Sequence, residues 1–249
     1  PIFACMRKPS NGHDNQDIII TLTQSPVNRL TQIAAICAGF CAMLSRKGGV
    51  CMRILSNPHT HTSFSDGKCA PEEVVRRAIE LGFRSIGISD HSVQPFDTHF
   101  TIPAERETEY RRTIRALNET FRDSIRVYAS VEFDSFAGVA DRSEYDYLLM
   151  SAHYVERDGA HALVDSPPNR EKLFRLRDEA FSGDGIALAL RFYEMLSEAA
   201  LRVRPDIMGH FDTVKRFNRE GLLYDEASPK LRRAQLDALE CVYESGALL

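Results

Sequence analysis

From Met52 onward the chain alternates short apolar runs with amphipathic stretches, and the apolar runs end on histidines or carboxylates. No other feature restricts the fold as much. Strands alternating with helices over residues 52–249 predict an α/β fold with a parallel sheet and helical crossovers. When such a sheet closes into a TIM-like barrel, the chemistry sits at the C-terminal ends of the strands. Strands are expected at Arg53–Ser56, Phe83–Ile88, Ile125–Phe133, Tyr145–Ala152 and Ile207–Gly209. Helices are expected from Pro71 to Gly82, from Pro103, over Asp184–Leu201, and from Pro229 to about Tyr243. Pro71 suits a first helical position, and Glu72 and Glu73 suit the positive end of the helix dipole. Ala247–Leu249 reads as one more strand beginning.

Residues 1–51 lack this order and are read as an N-terminal extension, with the domain proper over 52–249. Their longest apolar run, Ile33–Leu44, is twelve residues long. That is too short to span a bilayer, and no cleavage-site pattern follows it. The residue-level alternative is a helix over 25–44. Six cysteines without a CxxC pair read as free thiols in a reducing compartment, so a cytoplasmic location is expected. A formal charge of -4 gives no footprint for nucleic acid. Small anionic substrates stay within reach, because bound cations supply local positive charge.

The residues at the strand ends carry the chemistry. His59 and His61 stand two apart after the first strand, in N57-P-H-T-H-T-S-F-S-D66-G67, so both imidazoles face the same way. Asp66 follows in a turn. His91 closes the second strand; Asp90 beside it orients a ring nitrogen from behind or caps the local turn. Glu132 lies inside an otherwise apolar strand, which is costly unless it is paired or bound to metal. Asp134 shares its parity and is a further candidate. His153 and His210 each end a strand, with Asp212 in support. Imidazoles and carboxylates together suit Zn, Mn or Fe, and this many point to two or three divalent ions. Such ions clamp phosphate oxygens and activate water, so a metal-dependent hydrolase acting on a small phosphorylated substrate is expected, with neither nucleic acid nor membrane as partner. Arg157, Lys215 and Arg216 are candidate phosphate-binding cations, and His99 a candidate substrate contact. His13 falls in the N-terminal extension, and His161, in the polar stretch E156-R-D-G-A-H161, reads as part of a solvated loop. A metal-dependent amidohydrolase and a non-catalytic metal-binding domain are the rival readings.

The run H59-T-H-T-S-F-S-D66-G67, with I88-S-D-H91, E132-F-D, S151-A-H153 and G209-H210-F-D212, resembles the PHP (polymerase and histidinol phosphatase) superfamily. S89-D-H-S-V-Q-P-F96 and M150-S-A-H-Y-V155 resemble its histidinol-phosphate phosphatases more than its polymerase domains. The resemblance implies a distorted (β/α)7 barrel with a trinuclear centre. His59, His61 and Glu132 would hold the first metal. Glu132, His153 and His210 would hold the second, and Asp66 and His91 would belong to the third. The implied reaction is L-histidinol phosphate plus water to L-histidinol and phosphate, in histidine biosynthesis. Alternatives within the superfamily are another phosphoesterase, acting on a nucleotide or sugar phosphate, and an inactive metal-binding fragment. The resemblance also implies a last S-D-x-H motif beyond Leu249, so an incomplete barrel lacking one or two closing β/α units is expected.

Overall fold

The computed structural model describes Phe3–Cys5, Ile19–Thr21 and residues 54–249 apart from 95, 97, 98 and 138–140. The helix expected over 25–44 lies outside the described residues. The chain forms two compact units, Pro1–Asp90 with Ile102–Ser130, and His91–Thr101 with Val131–Leu249.

In the first unit, β1 (Phe3–Cys5) and β2 (Ile19–Thr21) pair antiparallel, and β2 meets β3 (Ser56–Asn57) at Ile19 and Ser56. α1 (Pro71–Glu80), β4 (Ser85–Ile88) and α2 (Glu107–Phe121) follow. Next comes β5 (Arg126–Phe133), which stays in this unit as far as Ser130. β3, β4 and β5 run parallel, with Ser56 opposite Ser85 and Ile88 opposite Ala129. α1 starts as its sequence requires: Pro71 needs no donor at the first turn, and Glu73 accepts the Ala70 N–H at 2.8 Å. The chain leaves it through Gly82 at φ 79°, a left-handed conformation that glycine adopts without strain. Val75 and Ala78 of α1 and Ile114 and Leu117 of α2 are buried, as are Ile86, Ile88, Val127 and Ala129 from the strands. The i, i+3 and i, i+4 spacing of the helical set gives each helix one apolar face, and the removal of those side chains from water drives the packing.

In the second unit the end of β5 continues to Phe133, and β6 (Tyr147–Met150) pairs parallel with β9 (Ile207–Met208). Between them lie β7 (Tyr154–Arg157), β8 (Ala160–Leu163), α3 (Arg170–Ala180) and α4 (Gly185–Val203). α5 (Pro229–Ser245) comes last. Among the described helices α4 is the most apolar: Leu188, Ala189, Phe192, Leu196 and Ala200 are buried, as are Leu231, Ala238 and Val242 of α5 packed beside it. Asp184 caps α4 by accepting the Ala187 N–H at 3.0 Å, and Gly246 at φ 87° ends α5. Beyond it Leu248 bridges to Ile207 in parallel, which is the strand start expected at 247–249.

Two elements depart from expectation. Residues 156–161 are not a solvated loop but the antiparallel hairpin of β7 and β8. Its turn, Asp158 at φ 54° and Gly159 at φ 81°, uses the paired positive φ values that match strand twist. His161 therefore sits on a strand. The sequence reading also passes over α3, whose only buried residues are Leu173 and Leu176.

In the order β3-β4-β5-β6-β9, five parallel strands with flanking helices constitute an α/β fold of the incomplete TIM-like barrel class. Among the described residues no helix is long and apolar enough to cross a membrane. The exits of β3, β4, β6 and β9 lead to His59, His91, His153 and His210, and Glu132 lies near the end of β5.

Candidate metal centre

The first unit holds the HxH pair. His59 and His61 leave β3 with their Nε2 atoms 3.1 Å apart and their rings tilted by 49°. Two nitrogens that each lie about 2.0–2.1 Å from one cation stand about 3 Å apart, so this separation fits a shared ion. The Nδ1 atom of His61 is 2.8 Å from Asp66 Oδ1, and that contact sets the ring. The turn carrying Asp66 is tied back by the Ser63 N–H on the Cys69 carbonyl at 2.9 Å. Gly67 has to be glycine: a Cβ there would stand 2.6 Å from the His61 carbonyl.

Asp90 braces this loop. Its carboxylate accepts from the Thr62 N–H and the Thr62 hydroxyl, each at 2.7 Å, and from the Ser65 hydroxyl. Of the two roles expected for Asp90, the structure displays the local one. Burial pushes its carboxyl above the ordinary value, against the pull of His61 and the three donors.

The second unit gathers its candidate ligands around Glu132, whose side chain is 0% exposed. Glu132 Oε1 is 3.0 Å from His210 Nε2 and 3.4 Å from His153 Nε2, and Oε2 is 3.1 Å from His91 Nδ1. The His153 ring meets those of His91 and His210 edge-on, at 4.7 Å and 4.9 Å between centroids. His91, Glu132 and His153 each offer a ligand atom within 4.8 Å of the others, a cluster able to hold a divalent ion.

Hydrogen bonds behind the rings decide which nitrogen faces Glu132. His153 Nδ1 lies 2.8 Å from Asp134 Oδ2, an acceptor only, so Nδ1 carries the proton and Nε2 turns to Glu132. The Thr213 hydroxyl donates to the His210 carbonyl at 2.6 Å and so accepts from His210 Nδ1 at 2.5 Å. Both Nε2 lone pairs therefore meet a carboxylate oxygen. Only a positive charge between them, a proton or a metal ion, makes that arrangement favourable. This is the donor set and orientation that metal-binding histidines adopt, so these residues fit a divalent cation. Burial pulls the His153 imidazole down, but the Glu132 and Asp134 carboxylates outweigh it and hold the ring well above its ordinary value.

Close packing places His210. A Cβ at Gly209 would stand 2.3 Å from Ser151 Oγ, so only glycine lets β9 approach β6 at this point.

Arg157 lies on β7 with its guanidinium 4.9 Å above the Phe181 ring. Lys215 Nζ is 3.3 Å from Asp212 Oδ2, and Arg216 is half-buried in the same short turn, Thr213–Phe217. His99 is exposed. Asp134 and Thr213 carry more of the site than the sequence reading gave them. Asp134 was visible through its shared parity with Glu132. Thr213 was not, because its reach to His210 depends on a turn that no sequence pattern announces.

The sequence matches the PHP domain over residues 57–242. It is 42% identical over 65 residues to the 5'-3' exoribonuclease Rnm of Salmonella typhimurium, covering 26% of this chain and 20% of that protein. Against the DNA polymerase/3'-5' exonuclease PolX of Bacillus subtilis it is 28% identical over 118 residues, 45% of this chain and 20% of that protein. The matched stretch thus spans about a fifth of each of these relatives. Among solved structures, a candidate histidinol phosphatase, hisK, from Listeria monocytogenes superposes with a TM-score of 0.58 at 18% identity. That match covers 76% of this chain and 79% of the other, and the likeness is one of fold. With well over half of its length matched, the chain belongs to the PHP domain family.

Proposed function

We propose that this chain is a metal-dependent phosphomonoester hydrolase in which His59, His61, Asp66, His91, Glu132, His153 and His210 serve as ligands for two or three divalent ions. The observation that carries the reading is the buried Glu132 carboxylate, faced by two Nε2 atoms whose Nδ1 partners are already committed. Bound cations of this kind polarise a phosphoryl oxygen and make water a nucleophile near neutral pH. The protein's part is orientation. Asp134 and Thr213 hold the His153 and His210 rings, and Asp90 holds the loop that presents His59 and His61. Lys215 and Arg216, on the turn after His210, are proposed to draw the phosphate in, with Arg157 and His99 as further substrate contacts. Spent phosphate and an alcohol leave after the P–O bond breaks.

Within this class we infer L-histidinol phosphate as the substrate and L-histidinol as the product, on the strength of the S89-D-H-S-V-Q-P-F96 and M150-S-A-H-Y-V155 stretches. A cytoplasmic setting belongs to the same reading. A second reading, phosphodiester cleavage in a nucleic acid, is favoured by the 42% identity with an exoribonuclease over 65 residues. One experiment separates them. The chain, loaded with Mn²⁺ or Zn²⁺, is given histidinol phosphate in one vessel and a short 5'-labelled oligonucleotide in another. The proposal expects phosphate release from the first and an intact oligonucleotide in the second. Cleavage of the oligonucleotide alone reverses the assignment.

A further inference from the structure

Asp134, which sets the His153 ring, is itself gripped from two sides within the second unit. Its Oδ2 atom accepts the His153 N–H at 3.1 Å and lies 2.8 Å from His153 Nδ1. Its Oδ1 atom accepts the Ser135 hydroxyl at 3.1 Å and the Phe136 N–H at 3.3 Å. Four donors on one carboxylate leave neither oxygen free to swing away from the ring. Asp134 and Ser135 are both buried.

Ser135 and Phe136 lie in the turn that follows β5, closed by the Ala137 N–H on the Asp134 carbonyl at 3.1 Å. This turn is anchored to α4. Arg202, exposed on the last turn of that helix, donates from Nη2 to the Ser135 carbonyl at 2.6 Å. A basic side chain at a helix C-terminus commonly meets the carbonyls of its own helix. Arg202 instead reaches a carbonyl 67 residues away in sequence. A hydrogen bond from a charged donor is the stronger kind, and this one ends on the peptide beside Asp134.

We propose that Ser135 and Arg202 are positioning residues for the metal centre. Arg202 fixes the Ser135 peptide, and the Ser135 hydroxyl fixes Asp134 Oδ1. Asp134 Oδ2 then holds His153 with its Nε2 lone pair towards Glu132. The inference rests on the metal-centre reading and deepens it, by extending the support of His153 to a side chain on α4 that acts only through its neighbours.

Two measurements on the full chain test it. Arg202→Met keeps the apolar stem and removes the donor, and Ser135→Ala removes one hydroxyl. Zn²⁺ affinity by calorimetry should fall about tenfold in each, and Arg202→Lys, which keeps a charged donor, should recover most of the loss. Combined with Asp134→Asn, both substitutions should add little, because residues acting through one carboxylate are not additive. The second measurement needs no metal. In nuclear magnetic resonance of histidine-labelled protein, the His153 Nδ1–H signal is identified by its absence from His153→Gln. It should exchange with solvent about tenfold faster in Arg202→Met and Ser135→Ala than in the wild type. Unchanged exchange in both variants, a loss of affinity that Arg202→Lys does not repair, or equal losses with and without Asp134 overturns the inference. Unfolding of Arg202→Met, seen by circular dichroism, also overturns it, by assigning Arg202 to the fold at large. A wild type that binds no Zn²⁺ overturns the metal-centre reading, while the exchange rates still decide whether Ser135 and Arg202 hold His153.

Discussion

Glu132 shows how one residue can define a site. A carboxylate buried with no compensating charge would cost several kcal/mol, and three imidazoles supply that compensation only when a proton or a cation sits among them. The residues behind the rings matter nearly as much, because they choose the lone pair that is offered. Asp134→Asn removes the charge that holds His153 Nδ1–H, so Mn²⁺ or Zn²⁺ affinity measured by calorimetry should fall about 10–100-fold. Unchanged affinity would remove Asp134 from the site. Asp90 makes a separate, pH-dependent prediction. Its folded pKa lies above its unfolded value, so the ionised carboxylate costs the folded state and protonation returns that cost. Stability relative to Asp90→Asn should therefore rise as pH falls from neutrality through the raised value towards about 4, the ordinary carboxyl range. Denaturant melts at several pH values check this; parallel curves for the two proteins would contradict it.

At the scale of elements, α2 does more than cover a face. The Tyr110 hydroxyl accepts the Asp90 N–H at 3.2 Å and lies 3.0 Å from the Ile88 carbonyl and 2.6 Å from the Ser130 carbonyl, pinning the exit of β4 to the middle of β5. Tyr110→Phe leaves those buried groups short of a partner and should cost about 1–3 kcal/mol in a denaturant melt. A loss below about 0.5 kcal/mol would show that the hydroxyl is dispensable. The same elements show what a sequence makes legible. α1, α4 and α5 announce themselves through Pro71, Asp184 and Pro229 and through apolar spacing, because capping and amphipathicity are local properties. The hairpin of β7 and β8 was missed although Asp158-Gly159 is a strong turn signal, since the flanking residues are too polar to suggest strands. α3 has just two buried residues, and so narrow an apolar stripe falls below what periodicity detects. The candidate ligand positions were legible because the histidines follow strands and Glu132 interrupts an apolar one. Their supports, Asp134, Thr213 and the Thr62–Ser65 grip on Asp90, were harder to see because they depend on contacts that sequence spacing does not encode.

For the molecule as a whole, each compact unit carries its own candidate ligands: His59, His61 and Asp66 in the first, and His91, Glu132, His153 and His210 in the second. The PHP domain match, over residues 57–242, runs through both. With a formal charge of -4, attraction for small phosphates has to come from bound ions and a few placed cations rather than from the overall field. The most direct test is therefore metal content. The full chain and Glu132→Gln would each be loaded with Mn²⁺ or Zn²⁺, dialysed and assayed by plasma mass spectrometry, with circular dichroism confirming that both are folded. The account predicts two or three equivalents retained by the wild type and a clear loss in the folded variant. Less than one equivalent in the wild type, or equal retention by the two proteins, would contradict it.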